Sequence, residues 1–240
     1  MNPTMPMPDR LFLQVAQIVP CTEAEGPGRR FALWFQGCPL RCPGCCNPEM
    51  LAFDGGAAMP AAEAIKRIAE AQRIHMIEGI TLLGGEPLAH ATGGIVLAQA
   101  AHDLCLSVMV FTGYPLEEAR RLPDAAIAQL LAETDILVDG PYLREQPETR
   151  RRWIGSANQR VHFLSSRCSA DDPRWLLPNT LEIRLRGSEL SVNGFPARSA
   201  VSLWKRPRVV RAEIGQSSNG DGGAITADDR GPSWYTTSNP

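Results

Sequence analysis

The sequence has no apolar run approaching the roughly 20 residues that a membrane span needs, and residues 1–10 lack the basic-then-apolar pattern of a secretory signal. A cytoplasmic protein with no membrane association is therefore expected. Charge of either sign is not in excess: 24 Lys and Arg stand against 26 Asp and Glu, a formal net charge of -2. That balance gives no electrostatic argument for nucleic acid or a membrane surface. The four histidines, His75, His90, His102 and His162, have no HxxxH spacing and are left unassigned. No internal repeat is present. Seven cysteines is an odd number, and their clustering suits a disulfide framework poorly, which points to a reducing compartment and a metal site.

What is present is concentrated. Four of the seven cysteines fall within the nine positions 38–46. Cys38, Cys42 and Cys45 have the spacing CxxxCxxC, which lets a short loop bring three thiolates together, as an iron-sulfur cluster or zinc requires. A closed zinc site or an electron-transfer cluster usually takes four protein ligands. Three close cysteines instead leave one iron open to a substrate or cofactor. Cys46 directly follows Cys45, and adjacent cysteines cannot easily ligate one ion together.

The chain of 240 residues, 44% hydrophobic and 21% charged, is long enough for one main domain with a sizeable core and some additional length. Residues 11–19 and the continuous apolar run 31–35 read as strands, the second of the kind buried on both faces. The cysteine loop follows at its C-terminal end. Met59 and Pro60 open a helical stretch with Ile65 and Ile68 on one face. Strands are expected at 77–83, 106–111 and 135–138, with helices at 93–104 and 116–131, the latter broken near Pro123. Such alternation implies βαβ units and a parallel sheet. The cysteine loop, residues 84–87, residues 112–114 and the pair Asp139-Gly140 each follow the C-terminal end of a strand, the edge on which parallel α/β folds build sites.

Beyond residue 167 the pattern changes. Leu181, Ile183 and Leu185 alternate with charged residues, and Gly187-Ser188 leads into Leu190 and Val192, a small hairpin. Residues 207–240 are rich in Gly, Ser, Asp and Pro, as in a disordered tail. The expected organisation is a main domain at 11–167, an extension with the hairpin at 168–206 and the tail at 207–240.

Taken in order, the motifs resemble a known family. The CxxxCxxC loop and the later Gly84-Gly85-Glu86-Pro87 resemble the radical S-adenosylmethionine (SAM) superfamily. The resemblance narrows through Gly26-Pro27-Gly28-Arg29, Gly37-Cys38, Cys42-Pro43-Gly44-Cys45 with Asn47, Phe111-Thr112-Gly113-Tyr114, Leu137-Val138-Asp139-Gly140 and Gly155-Ser156-Ala157-Asn158-Gln159-Arg160-Val161. Together these are similar to the group that activates anaerobic ribonucleotide reductases, over about residues 11–165.

The resemblance implies that Cys38, Cys42 and Cys45 hold a 4Fe-4S cluster whose fourth iron is chelated by SAM. It implies reductive cleavage of SAM to a 5'-deoxyadenosyl radical, and transfer of the radical to a glycine of a partner reductase. It also implies a flavodoxin- or ferredoxin-type electron donor. Gly84 and Gly85 would let the backbone approach the cofactor, Glu86 would accept from its ammonium and Pro87 would stiffen the turn. Thr112, Gly113 and Asp139 would lie along the same rim. Asn158 and Gln159 match a signature without an assigned role, and Cys46 stands where an aromatic residue or His is expected.

About 150 residues are too few for a complete eight-unit barrel, which typically needs about 250, so the expected fold is an open partial (β/α) barrel. Two other functions remain open at this point: a radical SAM enzyme acting on a peptide or small molecule, and a non-catalytic iron-sulfur or zinc module.

Overall fold

The computed structural model describes residues 8–186 and 189–195. It is a mixed α/β structure built on one seven-stranded sheet. The strands are β1 (Phe12–Thr22), β2 (Arg30–Phe35), β3 (Ala57–Pro60), β4 (Gly79–Gly84), β5 (Ser107–Phe111), β6 (Ile136–Asp139) and β7 (Arg160–Phe163). Their order across the sheet is β3-β1-β2-β4-β5-β6-β7. Helices α1 (Ala61–His75), α2 (Ala91–Asp103), α3 (Leu116–Ala119) and α4 (Ala125–Ala132) lie in the crossovers.

Only the centre of the sheet is parallel. β2, β4, β5 and β6 pair in parallel, whereas β1 runs antiparallel to β2, β3 to β1 and β7 to β6. The expected parallel sheet is thus found at the centre, and antiparallel strands flank it. A short loop that returns the chain directly, as between β1 and β2, gives antiparallel neighbours, while a parallel pair needs a long crossover. Residues 57–60 are likewise a strand, with α1 starting just after Pro60. Proline suits either role, and pairing with β1 decides between them.

The alternation of side chains along β2 explains its unbroken apolar run. Phe31, Leu33 and Phe35 enter one core with Ala64 and Ile68 of α1, Ile95 and Leu97 of α2 and Leu130 of α4. Ala32 and Trp34 face the other way, against Val19, Met50 and Leu83. A third cluster on Met109, Ile136 and Val138 is closed by Trp153 and Ile154. Burying each of these large side chains contributes roughly 1.5–3 kcal/mol. In α1, Ala61, Ala64, Ile68 and Ala71 form the buried stripe. The helix stops at Met76, whose left-handed backbone lets its N–H reach Gln72 O at 3.0 Å.

The far end of the sheet from the cysteine loop is locked by Arg30, a fully buried guanidinium at the start of β2. It donates to Thr81 Oγ1 at 2.7 Å, Ile80 O at 2.6 Å, Pro27 O at 3.2 Å, and Ser107 Oγ and O, both at 3.0 Å. Three adjacent strands are thereby tied by one side chain.

The expected hairpin is formed by β8 (Leu181–Arg186) and β9 (Glu189–Gly194). Its polar side faces the protein. Glu182 Oε1 accepts from Glu23 N, Arg184 donates to Cys21 O, and Asn193 Nδ2 donates to Thr22 Oγ1 and Glu25 Oε1. Ile183 and Leu185 are left 68% and 72% exposed. The disordered-tail expectation at 207–240, and the end of the proposed extension, lie outside the described residues. Among the described residues no helix is long and apolar enough to cross a membrane.

Glu25, beneath this hairpin, gives stability a dependence on pH. Burial pushes its carboxyl from the ordinary 4.5 up to about 8, against the opposing hydrogen bonds from Asn193 and Gly194. The folded state therefore holds a proton that the unfolded chain releases at lower pH. The contribution of this group to stability is fully present below about pH 4.5, is lost as pH rises towards 8 and is level above that. Glu25→Gln is expected to flatten this slope, with a wild-type-to-variant difference on the order of 2–4 kcal/mol between the two ends of the window. Denaturant unfolding at pH 5 and pH 8 measures it, and equal slopes for both proteins would remove the claim.

Candidate functional site

The site begins with two backbone hydrogen bonds that close the cysteine loop at its base. Gly37 N donates to Met50 O at 2.9 Å and Cys38 N to Leu51 O at 3.1 Å. Gln36 adds a side-chain brace, its Nε2 reaching Glu49 O at 3.0 Å and Ala52 O at 2.7 Å. Inside the loop, Cys45 N donates to Cys42 O at 3.1 Å, and Asn47 N lies 3.4 Å from Cys45 Sγ. Cys38 is buried, Cys42 and Cys45 are half-buried and Cys46 is exposed. Burial pushes the Cys38 thiol up. The neighbouring Cys46 thiol, with Asn47 N–H, draws Cys45 down to about 7 against its burial.

The turn after β4 is joined directly to this base. Gly85 N donates to Phe35 O at 2.7 Å and Glu86 N to Gly37 O at 3.0 Å. So close an approach needs glycine: a Cβ on Gly85 would lie 2.2 Å from Gly37 O, and Gly84 has φ +105°. Pro87 opens the short 3-10 turn Pro87–His90, whose first N–H groups are capped by Glu86.

Glu86 is fully buried and occupied on both oxygens. Oε1 accepts from Leu88 N at 2.9 Å and Thr112 Oγ1 at 2.8 Å, and Oε2 accepts from Gly113 N at 2.9 Å. It thus fastens the β4 turn to the end of β5. Two donors on Oε1 leave it filled, whereas Oε2 keeps one lone-pair direction for a further donor. Burial pushes its carboxyl up to about 7 despite these three bonds. Gly113 in turn is where Leu40 of the cysteine loop rests, since a Cβ there would meet Leu40 Cδ1 at 2.4 Å. Cys38, Cys42, Cys45, Gly84, Gly85, Glu86, Pro87, Thr112 and Gly113 accordingly occupy one continuous assembly.

Asp139, the remaining candidate, stands at the end of β6 and is engaged elsewhere. Its Oδ2 accepts from Leu116 N at 2.6 Å at the start of α3, Arg160 Nε donates to its Oδ1 at 3.1 Å, and His162 Nε2 lies 3.0 Å from Oδ2. Burial pushes its carboxyl up, but Arg160, Leu116 N–H and His162 outweigh it and hold it below the usual range.

Asn158 and Gln159, which sequence alone left without a role, are structural ties. Gln159 Oε1 accepts from Gly155 N at 3.0 Å and Ser156 N at 3.1 Å, and its Nε2 donates to Gly140 O at 3.1 Å. Asn158 Nδ2 donates to Pro141 O at 2.8 Å, and Ser156 Oγ accepts from Leu143 N at 3.1 Å. These bonds hold residues 140–143 in place. Arg144, next along, lies against Gly44, where a Cβ would meet its Cδ at 2.7 Å.

Among the described residues no three His, Cys, Asp or Glu side chains converge to hold a single ion. A 4Fe-4S cluster takes one thiolate on each iron that the protein holds, and soft thiolates suit it. The donor set of three cysteines, on a loop whose base is held without metal, fits the cluster.

Comparison with known proteins points the same way. The family described as 4Fe-4S single cluster domain matches residues 24–162. The anaerobic ribonucleoside-triphosphate reductase-activating protein of Salmonella typhimurium is 34% identical over 154 residues, covering 62% of this chain and 97% of the relative. Its counterpart in Vibrio cholerae is 33% identical over 151 residues, covering 61% and 95%. That of Escherichia coli K12 is 31% identical over 153 residues, covering 62% and 97%. The solved structure of QueE from Escherichia coli aligns with a TM-score of 0.36 at 17% identity, over 44% of this chain and 55% of that one, too slight a likeness to bear on fold or function. With nearly the whole length of these relatives matched, the chain belongs to the family of anaerobic ribonucleoside-triphosphate reductase-activating proteins.

Proposed function

We propose that Cys38, Cys42 and Cys45 hold the 4Fe-4S cluster, that SAM completes the coordination of its fourth iron, and that the enzyme uses them to place a glycyl radical on an anaerobic ribonucleotide reductase. The observation that carries this reading is the direct joining of the Glu86 turn to the base of the cysteine loop, through Glu86 N to Gly37 O at 3.0 Å. When bound, the cluster supplies the electron that splits the sulfonium bond of SAM, giving methionine and the 5'-deoxyadenosyl radical that takes a hydrogen from the partner's glycine. The chain's own residues bind, orient and exclude water.

In this reading Gly84 and Gly85 bring backbone up to the methionine end of SAM, and the vacant lone pair of Glu86 Oε2 accepts from its ammonium. Pro87 stiffens the turn. Thr112 and Gly113 act by fixing the Glu86 carboxylate, and Asp139 by anchoring α3 and Arg160 on the same rim. Residues 140–144, tied down by Asn158 and Gln159, cover the cysteine loop. The seven strands are read as an open partial barrel with the cluster at its C-terminal rim. A reducing cytoplasm suits three cysteines that must remain thiolates, and a flavodoxin- or ferredoxin-type protein is the expected electron donor.

The test is anaerobic reconstitution followed by reduction in the presence of SAM, with and without the candidate reductase. Iron and sulfide, formation of 5'-deoxyadenosine, and a glycyl radical signal by paramagnetic resonance in the mixture are the expected results. Zinc in place of iron, or no SAM cleavage, overturns the reading. Cleavage without a glycyl radical would transfer it to a peptide or small-molecule substrate, for which residues beyond 167 lie outside the family match at 24–162.

A further inference from the structure

His90 stands where a phenylalanine would pack as well, and the fold keeps a histidine there at a cost. It ends the turn Pro87–His90 that follows Glu86. Its ring stacks on Phe35 of β2, with centroids 4.9 Å apart and planes 4° from parallel, and Phe53 lies against it at 6.0 Å and 36°. Those are contacts that any aromatic ring makes. The imidazole, however, leaves Nε2 buried without a hydrogen-bond partner. An unpaired buried nitrogen is unfavourable, so another property of the ring must offset it.

What phenylalanine lacks is the N–H. Burial pushes the imidazole below its ordinary range, which keeps it neutral near pH 7, and hydrogen bonding to the carbonyls of Gly37 and Gln36 opposes that fall. A neutral imidazole has one donor, and here it is turned to the two peptides that lead from β2 into Cys38. Gly37 is held on its remaining sides as well. Its N–H donates to Met50 O at 2.9 Å, and its carbonyl accepts from Glu86 N at 3.0 Å. The Phe53 ring fills the space of a side chain at this position, since a Cβ would stand 2.3 Å from Phe53 Cδ1, with φ at +104°.

A chain of contacts therefore runs from the Glu86 turn through His90 to the peptide before the first cysteine of the loop. We propose that His90 is a positioning residue: its N–H fixes the Gly37 peptide and so sets Cys38, and the iron it holds, against the Glu86 carboxylate. This rests on the reading of Cys38 and Glu86 given above. In this role His90 acts through Gly37, with no contact to cluster or SAM.

His90→Phe keeps the stack and removes the N–H, and His90→Gln returns a donor without the ring. Backbone amide exchange in the metal-free protein reads the holding directly. In His90→Phe the amides of Gly37, Cys38 and Glu86 are expected to exchange about tenfold faster through the loss of one hydrogen bond. The melting temperature should stay nearly unchanged, because the unpaired nitrogen is lost with it. In the reconstituted enzyme the same variant is expected to keep full iron and to raise KM for SAM about tenfold at nearly unchanged kcat, since the contact of Glu86 with SAM serves binding. His90→Gln should recover part of both. Wild-type exchange and KM in His90→Phe overturn the proposal, and so does faster exchange spread over the whole protein, which marks ordinary packing. If His90→Phe does not fold, His90→Gln is compared with His90→Leu, which has no donor: greater protection of Gly37 and Cys38 in the first supports the role, and equal protection overturns it. If the loaded wild type cleaves no SAM, the reading of the site fails, while the exchange result still decides whether His90 holds Gly37.

Discussion

Alanine at Cys38, Cys42 or Cys45 is expected to leave the anaerobically reconstituted protein without its cluster and to reduce SAM cleavage to background, whereas Cys46→Ala should retain both. Each of three irons takes one thiolate, so removal of one ligand exposes an iron that no neighbouring side chain is placed to hold. Cys46 stands apart from the set in two ways. It is exposed, and its thiol acts on Cys45 by lowering that residue's pKa. Donors to a ligating sulfur tune a cluster without holding it. Cys46→Ala should therefore leave the contact of Asn47 N–H with Cys45 Sγ, at 3.4 Å, in place. Iron and sulfide analysis with visible absorption of all four variants gives the answer. Full iron loading in a Cys38→Ala or Cys42→Ala protein would defeat the ligand assignment.

The second large effect is expected at Gly85. Its missing side chain is the space that Gly37 occupies: a Cβ would stand 2.2 Å from Gly37 O, 2.7 Å from Gly37 C and 3.0 Å from Gly37 N. These are backbone atoms, so the clash cannot be relieved by rotating a side chain. Gly85→Ala should cost about 2–4 kcal/mol in stability and separate Glu86 from the cysteine loop, abolishing SAM cleavage. Gly113→Ala is the control on the same assembly. Its Cβ meets only the end of a flexible side chain, Leu40 Cδ1 at 2.4 Å, and a rotamer change relieves it with a smaller loss. Thermal unfolding and 5'-deoxyadenosine formation separate the two variants. Wild-type behaviour of Gly85→Ala would reduce residues 84–87 to an ordinary strand-to-helix turn.

Much of this arrangement was legible in the sequence, for physical reasons that differ from element to element. The apolar runs of β2 and β4 and the alternating Leu181, Ile183 and Leu185 marked strands because burial writes itself into local pattern. The cysteine loop and residues 84–87 and 112–114 stood out because soft-metal binding and close backbone turns restrict residue type. Strand direction was not legible: β1 and β7 run antiparallel to their neighbours, and nothing local in Gln14 or His162 records which way a partner runs. β3 was hidden because Met59-Pro60 reads equally as a helix start.

Individual roles were the least accessible. Glu86 was recognised as an acceptor, yet its donors Thr112 and Gly113 come from another strand. The same holds for Asp139, whose partners Leu116 and Arg160 lie on either side of it in the chain. Gln159 acts on Gly140, and Arg30 on Thr81 and Ser107, through bonds that exist only after the sheet has formed.

The two backbone bonds that close the cysteine loop, Gly37 N to Met50 O and Cys38 N to Leu51 O, join its two ends. Residues 39–49 are thereby a closed excursion from the sheet, and a change of length within them alters the excursion while leaving β2 and the turn at 84–87 in register.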